Sequence, residues 1–239
     1  HGVLFRGGEE GNIRKNLIEQ NNIDTIIGLP ANIFYGTGIP TIIMVLRQKK
    51  ENTDVLIVDA SKGFVKEKKN NKLRACDIRR IVDVVRGRKS VDKFSRLVSR
   101  EEIRSNEYNL NIPRYVDSSE TAETYDLYAS MFGGIPETEV EHFHIYWQVF
   151  STLKKELFIG ENGYLRLRNE NVKAVIQNNE SVLRFKSSFQ NAFFDFGKYM
   201  DAALIDKAEM LSIPKTEEII TSDIFRRFEN IPLLDPYQA

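Results

Sequence analysis

Three short apolar runs, "IDTIIGL", "IPTIIMVLRQ" and "DVLIVDAS", fall within residues 23–61 and set the strongest limit on what this chain can fold into. Each is rich in β-branched residues and shorter than a typical helix, so each predicts a buried strand. Pro30 stops the first run; the second extends from Ile39 to Arg47 and ends in charge; the third covers Val55 to Asp59. Ahead of them, "EEGNIRKNLIEQNN" sets Ile13, Leu17 and Ile18 near helical spacing behind Glu9 and Glu10. Carboxylates suit a helix amino end, and a helix from about Glu9 to Gln20 is expected. One helix followed by closely spaced buried strands is the end of an α/β sheet, not a complete one.

Past the strands the pattern changes. Lys62 to Asn71 is polar and charged, which predicts a surface loop. "DIRRIVDVVRGR" places Ile78, Ile81, Val82 and Val85 on one face, a helix that Gly87 should end. "VSREEIRSN" offers Ser99 as an N-cap with Glu102 three residues on. "EYNLNIPRYVDSS" reads as extended, with Pro113 opposing helix. The acidic stretch through "MFGGIPETE" has the composition of a linker. Beyond it Val140, Phe143, Trp147, Phe150, Leu153 and Leu157 recur at helical steps, and a longer stripe runs from Val172 through Phe189, Phe193 and Phe196 to Met200. Two long amphipathic helices, packed on each other or on a partner, are expected.

Formal net charge is zero, yet the charge is unevenly placed. Lys62 to Arg104 holds 15 Lys/Arg against 6 Asp/Glu, whereas Asp117 to Glu141 holds 7 acids and no Lys or Arg. A basic band on a neutral protein suits a phosphate backbone, and Arg86, Arg88 and Lys89 are the candidate phosphate contacts; a solvated Lys-rich face explains the same composition. The single cysteine, Cys76, cannot form an internal disulfide, and no run of 18 apolar residues exists. A reducing, cytoplasmic setting without a membrane span is the expectation. His142 and His144 form an H-x-H, but residues two apart on a helix diverge, so no metal site is expected. "HGVLFRGGEEGN" reads as the interior of a longer sequence.

One stretch invites a sharper reading. Phe34-Tyr35-Gly36-Thr37-Gly38 matches F-x-G-x-G, the pattern by which many methyltransferases hold the methionine end of S-adenosylmethionine. Such a loop needs a strand before its glycines and a helix amino end after them. Here Pro30-Ala31-Asn32-Ile33 precedes it as a turn and "TIIMVL" follows it as a strand, so the context rejects the cofactor loop. What remains is a glycine-bearing turn between two strands, with Gly36 and Gly38 free to take positive φ and Phe34 placed to cap the core.

Several phrases occur in an order that resembles a known family: "HGVLFRGG", "IRKNLIE", "DTIIGLPANIFYGTGIPTIIMVLRQKK", "VDASKGF", "FSRLVSREEI" and "YNLNIPRYVD". They look like the later part of the modification (M) subunit of type I restriction-modification systems. These are S-adenosylmethionine-dependent DNA adenine-N6 methyltransferases. The likeness is dense from Gly2 to Asp117 and continues more weakly through "GGIPETEVEHFHIYWQVF". In that family the cofactor motif and the catalytic Asn-Pro-Pro-aromatic motif precede the part matched here. No two prolines are adjacent in this chain, so the resemblance implies no catalytic residue within it and no methylation by this part alone.

The resemblance also gives the turn a role. In related enzymes an aromatic residue before the reversed last strand stacks on the adenine swung out of the duplex; Phe34 occupies the matching place, with Tyr35 as the alternative stacker. Arg6, with Gly36 and Thr37, would line the cleft. The implied partners are DNA, a specificity (S) subunit, a restriction (R) subunit and a second M subunit. The fold expected is α/β: the terminal part of a Rossmann-like S-adenosylmethionine-dependent methyltransferase sheet at residues 1–60, a basic connector with helices at 61–117, an acidic linker at 118–136, and a mainly α-helical region at 137–239. The competing reading is a non-enzymatic nucleic-acid-binding or subunit-assembly module.

Overall fold

A computed structural model describes residues 2–118, 125–161, 163–206, 208–210 and 212–237. His1 and residues 119–124 of the acidic stretch lie outside the described residues. The chain forms two compact units, His1–Ala122 and Glu123–Ala239.

In the first unit α1 (Gly8–Glu19) leads into β1 (Ile23–Gly28), β2 (Ile42–Leu46) and β3 (Val55–Asp59). A hairpin of β4 (Val65–Glu67) and β5 (Asn70–Lys72) follows, then α2 (Ala75–Gly87), β6 (Ser95–Val98) and α3 (Arg100–Ser105). The main sheet has the order β2-β1-β3-β6, with β1 and β3 parallel and both outer strands antiparallel to their neighbours. Every residue of β1 and β3 is buried, as central strands covered on both faces require.

Successive residues face opposite sides of a strand, and the sheet sorts its core accordingly. Ile26 and Ile57 pack with Ile18 of α1 and Ile103 of α3 on one face. Ile27, Leu56 and Val58 pack with Ile81 and Val84 of α2 on the other. Each such fully buried side chain contributes about 1.5–3 kcal/mol. Arg14, itself buried, ties the amino-terminal segment down: its guanidinium donates to the carbonyls of Tyr108 (2.6 Å), Val3 (2.8 Å) and Arg6 (3.0 Å).

Several local expectations are corrected. β2 starts at Ile42, past Pro40, because proline cannot donate to a ladder. The stretch from Lys62 to Asn71 is not all loop; it carries β4 and the start of β5. "FSRLV" supplies β6, a fourth strand that its short apolar pattern does not predict. Pro113 sits in the first turn of a short 3-10 helix, Ile112–Arg114, where its missing N–H costs nothing. The left-handed cap of α2 is Arg88 (φ 44°), one residue past the expected glycine.

The second unit contains α4 (Leu127–Phe132), β7 (Ile135–Pro136), α5 (Glu137–Glu141), α6 (His144–Val149), α7 (Leu153–Leu157), β8 (Phe158–Glu161) and β9 (Tyr164–Leu167). After them come α8 (Val172–Asn178), α9 (Glu180–Ala192), α10 (Phe196–Leu204) and α11 (Ile213–Phe228). A small sheet, ordered β7-β9-β8, accompanies these helices. The two long stripes are therefore broken into shorter helices. At Asn179, which is buried, the backbone turns extended and the side-chain oxygen accepts from Ser181 N–H and Val182 N–H, so an N-cap restarts the helix as α9. Leu153, Leu157 and Val182 centre this unit's core, with Trp147, Phe150 and Phe158 against them.

Candidate functional site

β1 and β3 pair in parallel register from Thr25↔Leu56 to Gly28↔Asp59, so their carboxyl ends lie side by side. Ligand crevices of open α/β sheets form outside such ends, where loops leave the sheet. The backbone closes tightly here: Ala60 N–H donates to Gly28 O at 2.9 Å, and a Cβ on Gly28 would lie 2.6 Å from Ile112 Cδ1. Asp59 accepts from Ser61 N–H (3.0 Å) and Ser118 Oγ–H (2.6 Å), which fixes the start of the next loop.

The first loop, residues 29–41, is closed at its base by Leu29 N–H donating to Thr41 O at 2.9 Å. Its tip is Phe34 to Gly38. Gly36 has φ +80° with open space around it, so the turn asks for glycine on backbone grounds alone. Gly38 is not in the left-handed region, which corrects the expectation that both glycines are needed for positive φ. Thr37 Oγ1 accepts from Ile39 N–H at 3.2 Å, a side-chain turn that stiffens the tip. Phe34 is 56% exposed and Tyr35 94% exposed, so neither ring is spent on the core. The element that follows the glycines is the strand β2, antiparallel to β1, and not a helix, so these residues do not fit a cofactor loop.

The second loop leaves β3 and carries the β4–β5 hairpin, with Lys68 (φ 56°) and Lys69 at its turn. Asn71 fastens this hairpin to the first loop. Its N–H donates to Asn32 O at 2.8 Å and its Nδ2 donates to Ala31 O at 2.8 Å. Between the two loops lies a cleft of about 840 Å³, lined by Ile33, Tyr35 and Gly36 on one side and by residues 67–72 on the other. Phe34 is not among its lining residues. Lys72 pairs with Glu67 at 3.6 Å, while Lys68 and Lys69 make no ion pair among the described residues. The cleft thus presents an exposed aromatic ring, unneutralised ammonium groups and side-chain amides.

The other expected site residues lie elsewhere. Arg6 turns back on its own segment, pairing with Glu10 at 3.7 Å and lying over Gly2. The basic band is split by the fold. Arg88 donates to Asp24 (2.7 Å) and to Asp54 O (2.8 Å), which stand at the amino ends of β1 and β3, opposite the cleft. Its guanidinium is a structural tie. Arg86 and Lys89 are exposed at that same far end. The hairpin lysines that do face the aromatic turn had no signal of their own within a uniformly basic stretch. Their placement rests on hydrogen bonds made by Asn71 to a loop about forty residues away. Among the described residues no group of three or more His, Cys, Asp or Glu side chains could hold a metal ion, and no helix is long and apolar enough to cross a membrane.

Fold and cleft together define an α/β protein with a cleft at the carboxyl ends of two parallel strands. The sequence profile of the N-6 DNA Methylase family matches residues 1–124, just over half of the chain, and the chain belongs to that family. A type I restriction enzyme MpnII methylase subunit from Mycoplasma pneumoniae is 40% identical over 127 residues, 53% of this chain and 23% of the relative. A type I restriction enzyme MjaVII methylase subunit from Methanocaldococcus jannaschii is 41% identical over 132 residues, again 53% and 23%. The crystal structure of a type I restriction-modification system methyltransferase subunit from Streptococcus thermophilus is 53% identical, covering 50% of this chain and 25% of that one, with a TM-score of 0.49. The chain spans about a quarter of the length of these curated relatives.

Proposed function

We propose that this chain is part of the M subunit of a type I restriction-modification DNA methyltransferase, and that its turn at residues 34–38 holds the adenine swung out of the duplex. The observation that carries the reading is the pairing of an exposed aromatic turn and a basic hairpin at the adjacent carboxyl ends of β1 and β3. A base leaving the helix loses its stacking, and a ring in the pocket recovers about 1–3 kcal/mol of that cost. Tyr35 lines the cleft and is the favoured stacker, with Phe34 beside it.

The methyl donor of the whole enzyme would be S-adenosylmethionine, held by residues other than this turn, and the acceptor would be adenine N6. This chain's own contribution is to hold and orient the base, while Asp59, Ser118 and Asn71 hold the loops that do so. The sheet itself is read as the terminal part of a Rossmann-like one. β2 is an outer strand whose Ile43 and Leu46 are exposed, an apolar edge that a further strand of the whole protein would cover. A specificity subunit, a restriction subunit and a second M subunit are the proposed partners. An assembly role for the unit from residue 123 onward is favoured by α4, whose Leu127, Met131 and Phe132 are exposed.

Duplexes with a matched or a mismatched target adenine test base extrusion. A mismatch lowers the cost of unpairing, so the intact complex should bind the mismatched duplex more tightly, and Tyr35→Ala should shrink that gain. Equal affinity for the two duplexes would contradict the reading.

A further inference from the structure

The β4–β5 hairpin has a job that the aromatic turn alone does not explain. It contributes nothing to either face of the main sheet: β4 is exposed along its whole length, and β5 is at most half-buried. A short, polar, three-residue hairpin is marginal in water and needs outside contacts to hold its shape. Here those contacts are the two hydrogen bonds from Asn71 to the backbone of Asn32 and Ala31, on the very loop that carries Tyr35. The hairpin is therefore fastened to the loop that carries the turn. At its tip Lys68 takes a left-handed backbone conformation, uncommon for a long side chain. Lys68 and Lys69 are both exposed, and neither makes an ion pair among the described residues. Across the same cleft stands the Tyr35 ring.

We infer that Lys68 and Lys69 hold the DNA backbone phosphates that flank the extruded nucleotide, so that the strand is gripped on one wall of the cleft while its base rests on the other. The inference rests on the base-holding reading of the turn and adds a second group to it. The physical case is positional. A flipped nucleotide turns about its own backbone, so its neighbouring phosphates must pass close to whatever holds the base. Ammonium groups at that point release counterions on binding and fix the register of the strand without reading its sequence. Lys72, neutralised by Glu67, and Arg88, tied to Asp24, cannot serve equally.

The test uses the intact complex and a short duplex carrying the site it methylates. Lys68→Glu/Lys69→Glu should lower the slope of log affinity against log salt by about 2 and raise KM for DNA, with S-adenosylmethionine affinity unchanged. Arg86→Glu/Lys89→Glu, at the opposite end of the sheet, should lower the slope less. An unchanged slope in the hairpin variant, or a larger fall in the far-end variant, would overturn the inference. So would loss of subunit assembly with the slope retained, which would make the hairpin a protein-docking element. Tyr35→Ala measured in parallel keeps the two claims apart. If it impairs methylation while the hairpin variant leaves the salt slope intact, the base-holding reading stands and the phosphate grip fails.

Discussion

The Arg88 guanidinium donates to the Asp24 carboxylate at 2.7 Å, joining the end of α2 to the amino end of β1. The Asp24 side chain is only 4% exposed, and its other partners are Thr25 Oγ–H at 3.0 Å and Arg47 at 4.0 Å. Removing the guanidinium leaves this buried carboxylate with only Thr25 Oγ–H and the more distant Arg47, so Arg88→Ala should destabilise the intact protein by about 1.5–3 kcal/mol. Denaturant unfolding checks this, and Asp24→Asn combined with Arg88→Met should cost less than the two single changes together.

Glu19 carries the pH dependence. Hydrogen bonds from Arg104 (2.9 and 2.6 Å), and then from Tyr108 (2.7 Å), hold its carboxyl down at about 2, from an ordinary 4.5. A depressed carboxylate contributes stability that is fully present above pH 4.5 and is lost as pH falls through 2. Glu19→Gln should therefore flatten the acid limb of a stability-against-pH curve between those values, with its largest effect near neutrality.

Two glycines, Gly28 at the end of β1 and Gly36 in the cleft wall, should fail for different reasons. A Cβ on Gly28 meets Ile112 Cδ1 at 2.6 Å, so Gly28→Ala overpacks the strand end, at a cost of about 1–3 kcal/mol. Gly36 has open space but φ +80°, so Gly36→Ala costs about 1 kcal/mol through backbone strain. Thermal unfolding of each variant distinguishes them. Gly36→Asn, a residue that tolerates this region better, should recover part of the loss, whereas Gly28→Asn should not.

Asn71→Ala removes one side-chain hydrogen bond between the loops, worth about 1 kcal/mol, and leaves the backbone bond to Asn32. Amide hydrogen exchange should quicken in residues 65–72 while β1 and β3 keep their protection. Equal protection of the hairpin before and after would mean that Asn71 is not its anchor.

Much of the central sheet could be read directly. β3 occupies the expected Val55–Asp59, and β1 falls within "IDTIIGL", because strands buried on both faces are continuous apolar runs. Ser99 caps α3 as its spacing to Glu102 implied, with Glu102 N–H donating to its hydroxyl at 3.2 Å. Two of the misses share one cause, which is that the deciding partner is distant. Arg88 beside Gly87 resembles any helix end until Asp24, 64 residues earlier, supplies its ion pair. The hairpin "VKEKKNNK" has no apolar alternation, and only Asn71 docking on Ala31 and Asn32 gives it shape. The aromatic turn was visible as a candidate site. Which ring faces the cleft, and which lysines stand opposite it, depended on how the two loops leave the sheet.

A turn at residues 34–38 that holds the target base and not the methyl donor should separate the two activities. Methyl transfer to DNA and S-adenosylmethionine binding, measured separately on Tyr35→Ala and Phe34→Ala in the intact complex, test it most directly. Transfer should fall about 5- to 150-fold in Tyr35→Ala, and less in Phe34→Ala, with cofactor affinity unchanged in both. Loss of S-adenosylmethionine binding in either variant, or full transfer activity in both, would contradict it.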